Sequence, residues 1–102
     1  MNDIDKYFAE QCGVELRAGK YGVMFYKGYP WSIKRADCRE IVRERFKIIT
    51  NYSEADKKYV SFPHSCTLDF SKDLPRFCTG VGKTISDAEI ACLQSIYEAR
   101  DE

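Results

Sequence analysis

The stretch Gly80-Val81-Gly82-Lys83-Thr84-Ile85-Ser86-Asp87-Ala88-Glu89 decides the fold class, because it reads as a glycine turn out of a sheet and into a helix. Ser86-Asp87-Ala88-Glu89 has capping-box spacing: the serine hydroxyl serves the amide three residues on, and the glutamate reaches back. Past that start, Ala88, Ala91, Cys92, Ser95 and Ala99 give the helix a side of small residues, with Ile85, Leu93, Ile96 and Tyr97 as larger knobs beside it. Small side chains let a helix lie close on a sheet, so strands are expected upstream.

They are found there. Tyr59-Val60-Ser61-Phe62 and Ser65-Cys66-Thr67-Leu68-Asp69-Phe70 are strand-like, separated by Pro63, and Arg76-Phe77-Cys78-Thr79-Gly80 reads as a third short strand after the turn Ser71-Lys72-Asp73-Leu74-Pro75. Connections this short exclude parallel crossovers and predict antiparallel hairpins. Further back, Asn51-Tyr52-Ser53 and the charged run to Lys58 read as a loop. Before it comes a helix opened by Tyr29-Pro30-Trp31-Ser32, with Ser32 as N-cap. Cys38, Ile41, Val42, Arg45, Phe46 and Ile49 keep one face of this helix, and Lys34, Arg35, Arg39, Arg43 and Lys47 the other. Val23-Met24-Phe25-Tyr26 reads as a strand ending at Gly28, with Gly19 and Gly22 flanking a turn before it. Residues 2–13 read as a short helix, capped by Asn2 or Asp3 and stopped at Gly13, with Ile4, Tyr7, Phe8 and Cys12 at helical spacing. The order α-β-α-β-β-(β)-α predicts an α+β fold, one domain over residues 1–102, with a mostly antiparallel sheet covered by helices.

Composition bounds the function. The chain has 102 residues, 16 basic and 16 acidic, and 44% hydrophobic residues, which suits one folded domain rather than a disordered tail. Zero net charge removes the basic excess usual in a nucleic-acid binder. The distribution is uneven: residues 34–58 hold eight basic and five acidic side chains, and residues 59–102 hold four and seven. No apolar run reaches the ~20 residues of a membrane helix. The start Met1-Asn2-Asp3-Ile4-Asp5-Lys6 lacks signal-peptide character, which leads us to expect a cytoplasmic protein with no membrane partner. The five cysteines, Cys12, Cys38, Cys66, Cys78 and Cys92, are odd in number, widely spaced and without a C-x-x-C pair, as in a reduced compartment where cysteine acts as a small apolar residue.

Candidate chemistry is thin. Gly80-Val81-Gly82-Lys83-Thr84 falls short of a complete phosphate loop, since the first glycine of G-x-x-x-x-G-K-[ST] would stand at position 77, which is Phe77. His64 is the one histidine, and it neighbours Ser65, whose side chain on a strand would point to the opposite face. With Cys66 alone beside it, His64 makes a poor zinc site. Asp3 with Asp5, and Asp69 with Asp73, lack the spacing of a metal loop and suit a cap and a turn. We therefore expect no enzyme, no catalytic residue, no cofactor and no metal.

Two surface features carry more. Tyr21, Tyr26, Tyr29 and Trp31 cluster near a turn, and tyrosine and tryptophan offer large contact area with a polar handle. Arg35, Arg39 and Arg43, at i, i+4 and i+8, would form a guanidinium ridge able to meet an acidic protein surface or phosphates. The simpler readings are core cover for the aromatics and a solvated, internally paired face for the arginines, with Glu40 and Glu44 nearby. The candidate partner-binding surface is Tyr26, Tyr29, Trp31, Arg35, Arg39 and Arg43.

Two resemblances follow. The last 40 or so residues, with Gly80-Val81-Gly82-Lys83-Thr84 followed by Ala88, Ala91 and Cys92, are similar in outline to a double-stranded-RNA-binding domain. Ile85, Ser86, Asp87 and Glu89 stand where that family's basic residues grip phosphates. Nearly the whole chain resembles small phage and prophage proteins of the ABA-sandwich type. Asp5-Lys6-Tyr7-Phe8-Ala9-Glu10 to Gly13 resembles their N-terminal helix, Trp31-Ser32 the turn opening their central helix, and Thr84 with the alanines up to Ala99 their final helix. That resemblance implies a sheet between helix layers and a phage or mobile-element origin, and no catalytic residue. The expectation is a non-enzymatic accessory protein that binds a host or defence-system protein, in its specific form an inhibitor of the anti-CRISPR type. The alternative is a nucleic-acid-binding module using the Arg35/Arg39/Arg43 ridge.

Overall fold

The computed structural model describes residues 2–63 and 79–99, and these form an α+β fold of helices with small antiparallel sheets. The chain divides into two compact units, Met1–Arg45 and Phe46–Glu102. The predicted strand Ser65-Cys66-Thr67-Leu68-Asp69-Phe70, the turn after it, His64, Cys66, Cys78 and the Asp69/Asp73 pair lie outside the described residues.

The first unit opens with α1, Asp3–Gln11. Asn2 caps it, its Oδ1 accepting from the Asp5 amide at 2.9 Å. At the other end the Val14 amide donates to the Ala9 carbonyl and the Gly13 amide to that of Glu10. This is a Schellman closure, and it needs the left-handed φ of 65° that Gly13 supplies. A three-stranded meander follows: β1 (Arg17–Ala18), β2 (Met24–Tyr26) and β3 (Tyr29–Pro30), in that spatial order. Tyr26 pairs with Tyr29 across a two-residue turn. Lys27 (φ 50°) and Gly28 (φ 92°) both have positive φ, as the type I′ hairpin turn requires.

The second helix, α2, runs Ala36–Phe46 and starts three residues later than its sequence suggested. Ser32 is not its cap. The Ser32 hydroxyl accepts from the Lys34 amide at 3.2 Å, and its carbonyl takes the Arg35 amide, so residues 32–35 form a separate turn. The core of the described residues in this unit includes Phe8, Ala9, Trp31, Ile33, Cys38 and Val42.

In the second unit, β4 (Ile48–Ser53) and β5 (Lys58–Pro63) form a hairpin in register from Ile48↔Pro63 to Ser53↔Lys58. Ile48, Ile49 and Asn51-Tyr52-Ser53 are thus strand, where helix and loop were expected. Lys47 (φ 55°) breaks the helix one residue after Phe46, and the β-branched run Ile48-Ile49-Thr50 then takes the pleated conformation it packs best in. β6 (Gly80–Gly82) pairs with β5, so the expected glycine turn is itself a strand. The last helix, α3 (Ile85–Ala99), lies chiefly on β6 and β5. Its small side is the packing face: a Cβ on Gly80 would run into the backbone of Ala88, Ala91 and Cys92, and one on Gly82 would come within 2.5 Å of Asp87 Cβ. The cap is Thr84, whose Oγ1 accepts from the Asp87 amide at 3.1 Å, rather than Ser86.

Candidate functional site

Trp31 is turned inward. It is 3% exposed, and its indole Nε1 donates to the Asp5 carbonyl at 2.9 Å. Asp5 Oδ1 in turn accepts from the Ile33 amide at 2.9 Å. Trp31 is therefore a core residue and not part of a binding surface. Arg39 is also buried, at 4% exposure, and donates from Nη1 to the carbonyls of Ile33 and Lys34 at 3.1 and 2.8 Å. Arg35 precedes α2 and is not on the helix. The ridge of three arginines does not form: Arg39 holds the 33–34 turn from inside, and Arg43, half-buried, is left further along α2.

What reaches the surface is a different arrangement, built on the β2–β3 hairpin. Tyr26 and Tyr29 face each other at the hairpin's last pair, ring centroids 5.7 Å apart and nearly perpendicular. The Lys27 ammonium lies 5.3 Å from the centre of the Tyr26 ring. The Arg35 guanidinium lies 5.2 Å from that of Tyr29. Arg35 is aimed by Asp37, to which Nε and Nη2 donate at 3.1 and 3.0 Å. The order is thus Lys27, Tyr26, Tyr29, Arg35, Asp37, a row of two cations and two rings closed by one carboxylate. Trp31 meets Tyr26 edge to face at 5.8 Å and ties the row to the core. The pair with Arg35 holds the Asp37 carboxyl below its ordinary value of 3.8. Partial burial first, and the Asp37 charge second, push the Tyr29 phenol up, so it stays neutral and able to donate.

Beside the row, strand pairing between β1 and β2 ends at Arg17↔Phe25. At that end a groove of about 620 Å³ is lined by residues 15–17 and residues 25–28. Tyr21 lies at the opposite end of β2, 99% exposed and with φ 61°.

Sequence reading missed the charge of this segment. Residues 16–36 contain Arg17, Lys20, Lys27, Lys34 and Arg35 and no acidic residue, against zero net charge for the whole chain. Counting the charge over this window, instead of over the helix, finds it.

No group of three or more metal-ligating side chains occurs among the described residues. Cys12, Cys38 and Cys92 are free thiols, and burial pushes those of Cys12 and Cys38 up, away from the reactive thiolate. No described helix is long and apolar enough to cross a membrane. No protein-family model matches the chain, and neither curated proteins nor solved structures give a significant match.

Proposed function

We propose that the protein is a non-enzymatic binding module that engages another protein through the β2–β3 hairpin. The supporting observation is the row of Lys27, Tyr26, Tyr29 and Arg35, pre-ordered by ring contacts and by the Asp37 carboxylate. Ordering of this kind reduces the side-chain entropy lost on binding, and tyrosine and arginine are the residue types that dominate interface energetics. The wider setting is that of a phage or mobile-element accessory protein, acting in the bacterial cytoplasm as an inhibitor of a defence complex of the anti-CRISPR type. Its support is the resemblance carried by residues 5–13, 31–42 and 84–99. The nucleic-acid reading loses its main support with Arg39 buried.

The test is capture of a stoichiometric partner from nuclease-treated bacterial lysate, repeated with Tyr29→Ala and Arg35→Glu. Each substitution is expected to reduce capture at least tenfold while the circular dichroism spectrum is unchanged. A partner held equally by both variants overturns the hairpin reading. Expression in a host with an active CRISPR defence is expected to raise phage plating, and unchanged plating removes the defence-inhibitor setting.

A further inference from the structure

We propose that the groove between residues 15–17 and 25–28 takes an extended acidic segment of the partner, an inference that rests on the protein-binding reading above. Its walls come from residues at and just past the end of the β1–β2 pairing, which stops at Arg17↔Phe25, so the slot lies at the end of the sheet. An extended peptide suits such a slot, as in other recognition modes that reuse strand geometry. Leu16 and Phe25 contribute apolar wall. Arg17 and Lys27 stand on its two sides, and neither has a carboxylate partner among the described residues. The lining holds these two cations against a single carboxylate, Glu15, so the fitting occupant carries carboxylates separated by apolar side chains.

A peptide is favoured over single-stranded nucleic acid on two grounds. Base stacking needs open aromatic faces, but Lys27 already lies over the Tyr26 ring and Arg35 over that of Tyr29. Glu15 also lines the groove. Its carboxylate opposes a phosphodiester chain charged at every nucleotide, whereas a peptide spaces its charges and offers amide donors to it.

The experiment is fluorescence anisotropy at low salt with the full chain and a short labelled peptide alternating glutamate with valine. Binding is expected, weakening as salt rises, and at least tenfold weaker for the same peptide with glutamine in place of glutamate. Arg17→Glu with Lys27→Glu is expected to lose at least tenfold and to prefer a lysine–valine peptide. Arg17→Gln with Lys27→Gln gives the same loss if the reversed pair does not fold. Equal binding of the glutamine peptide, tighter binding of oligothymidylate, or an unchanged affinity in the folded double variant overturns the inference. A lysate partner lost with Tyr29→Ala but retained by Arg17→Glu alone, which lines the groove and lies outside the hairpin row, sinks the groove and leaves the hairpin reading standing. A partner lost by neither set sinks both.

Discussion

Asp5 and Trp31 clasp each other from both ends: the Trp31 indole donates to the Asp5 carbonyl, and the Asp5 carboxylate accepts from the Ile33 amide two residues beyond Trp31, each at 2.9 Å. The first turn of α1 is thereby fastened to the segment that leads into α2, and the Tyr26 ring rests against the fastened indole. The aromatic row at the surface is thus positioned by a buried residue.

Asp5→Ala leaves the Ile33 amide without this acceptor and is expected to cost about 1–3 kcal/mol. Trp31→Phe removes a single hydrogen bond and part of an aromatic contact, for about 1–2 kcal/mol. Trp31→Ala costs about 3–5 kcal/mol by emptying the core. Urea denaturation followed by circular dichroism measures all three. Trp31 is the chain's one tryptophan, so its emission reports the wild type and Asp5→Ala directly. Loss of partner capture by Trp31→Ala is expected to track the unfolded fraction, in contrast to Tyr29→Ala.

The class of fold was legible because it is written in local patterns. Asn2 and Gly13 bracket α1, and the small side of α3 announces close packing on a strand. The errors arise where two local signals compete and tertiary packing chooses. Thr84 and Ser86 both stand three residues before an acid, and the strand ending at Gly82 places the helix so that Thr84 is the cap. The spacing of Arg35, Arg39 and Arg43 makes a ridge only if the helix starts at Ser32. Starting at Ala36, it leaves Arg35 outside and turns Arg39 back to the carbonyls of residues 33 and 34. Nothing near Trp31 in sequence says that its partner is Asp5.

Gly80 tests the packing of the second unit. A methyl group there lies 2.6 Å from the Ala91 carbonyl carbon and closer still to the backbone of Ala88 and Cys92, and backbone atoms cannot rotate aside. Gly80→Ala is expected to cost about 1–3 kcal/mol or more, read as a lowered urea midpoint. Gly13→Asn, at a left-handed position with open space around its Cβ, is expected to cost well under 1 kcal/mol.

The Arg35–Asp37 pair makes a pH prediction. The folded-state pKa of Asp37 is depressed, with the hydrogen bond from Arg35 as the largest cause. Its contribution is therefore full above the ordinary aspartate range and is lost as pH falls through the depressed value. NMR titration of the Asp37 carboxyl carbon is expected to show a midpoint below 3.8, moving up toward it in Arg35→Met. An Asp37 midpoint that Arg35→Met leaves in place would show that the pair does not hold the guanidinium over Tyr29.

Lys27 separates stability from binding. It occupies the first central position of a turn with positive φ at both centres, where lysine is strained and asparagine before glycine is preferred. Lys27→Asn is expected to raise stability by about 0.5–1 kcal/mol while removing the ammonium over Tyr26, so thermal midpoint and partner affinity move in opposite directions. Lys47 supplies the control: its φ of 55° follows the end of α2, and Lys47→Gly relieves the same strain for about 1 kcal/mol. That variant is expected to gain stability with capture unchanged. If Lys27→Asn also gained stability with capture unchanged, the hairpin lysine would be a turn residue alone and would take no part in recognition.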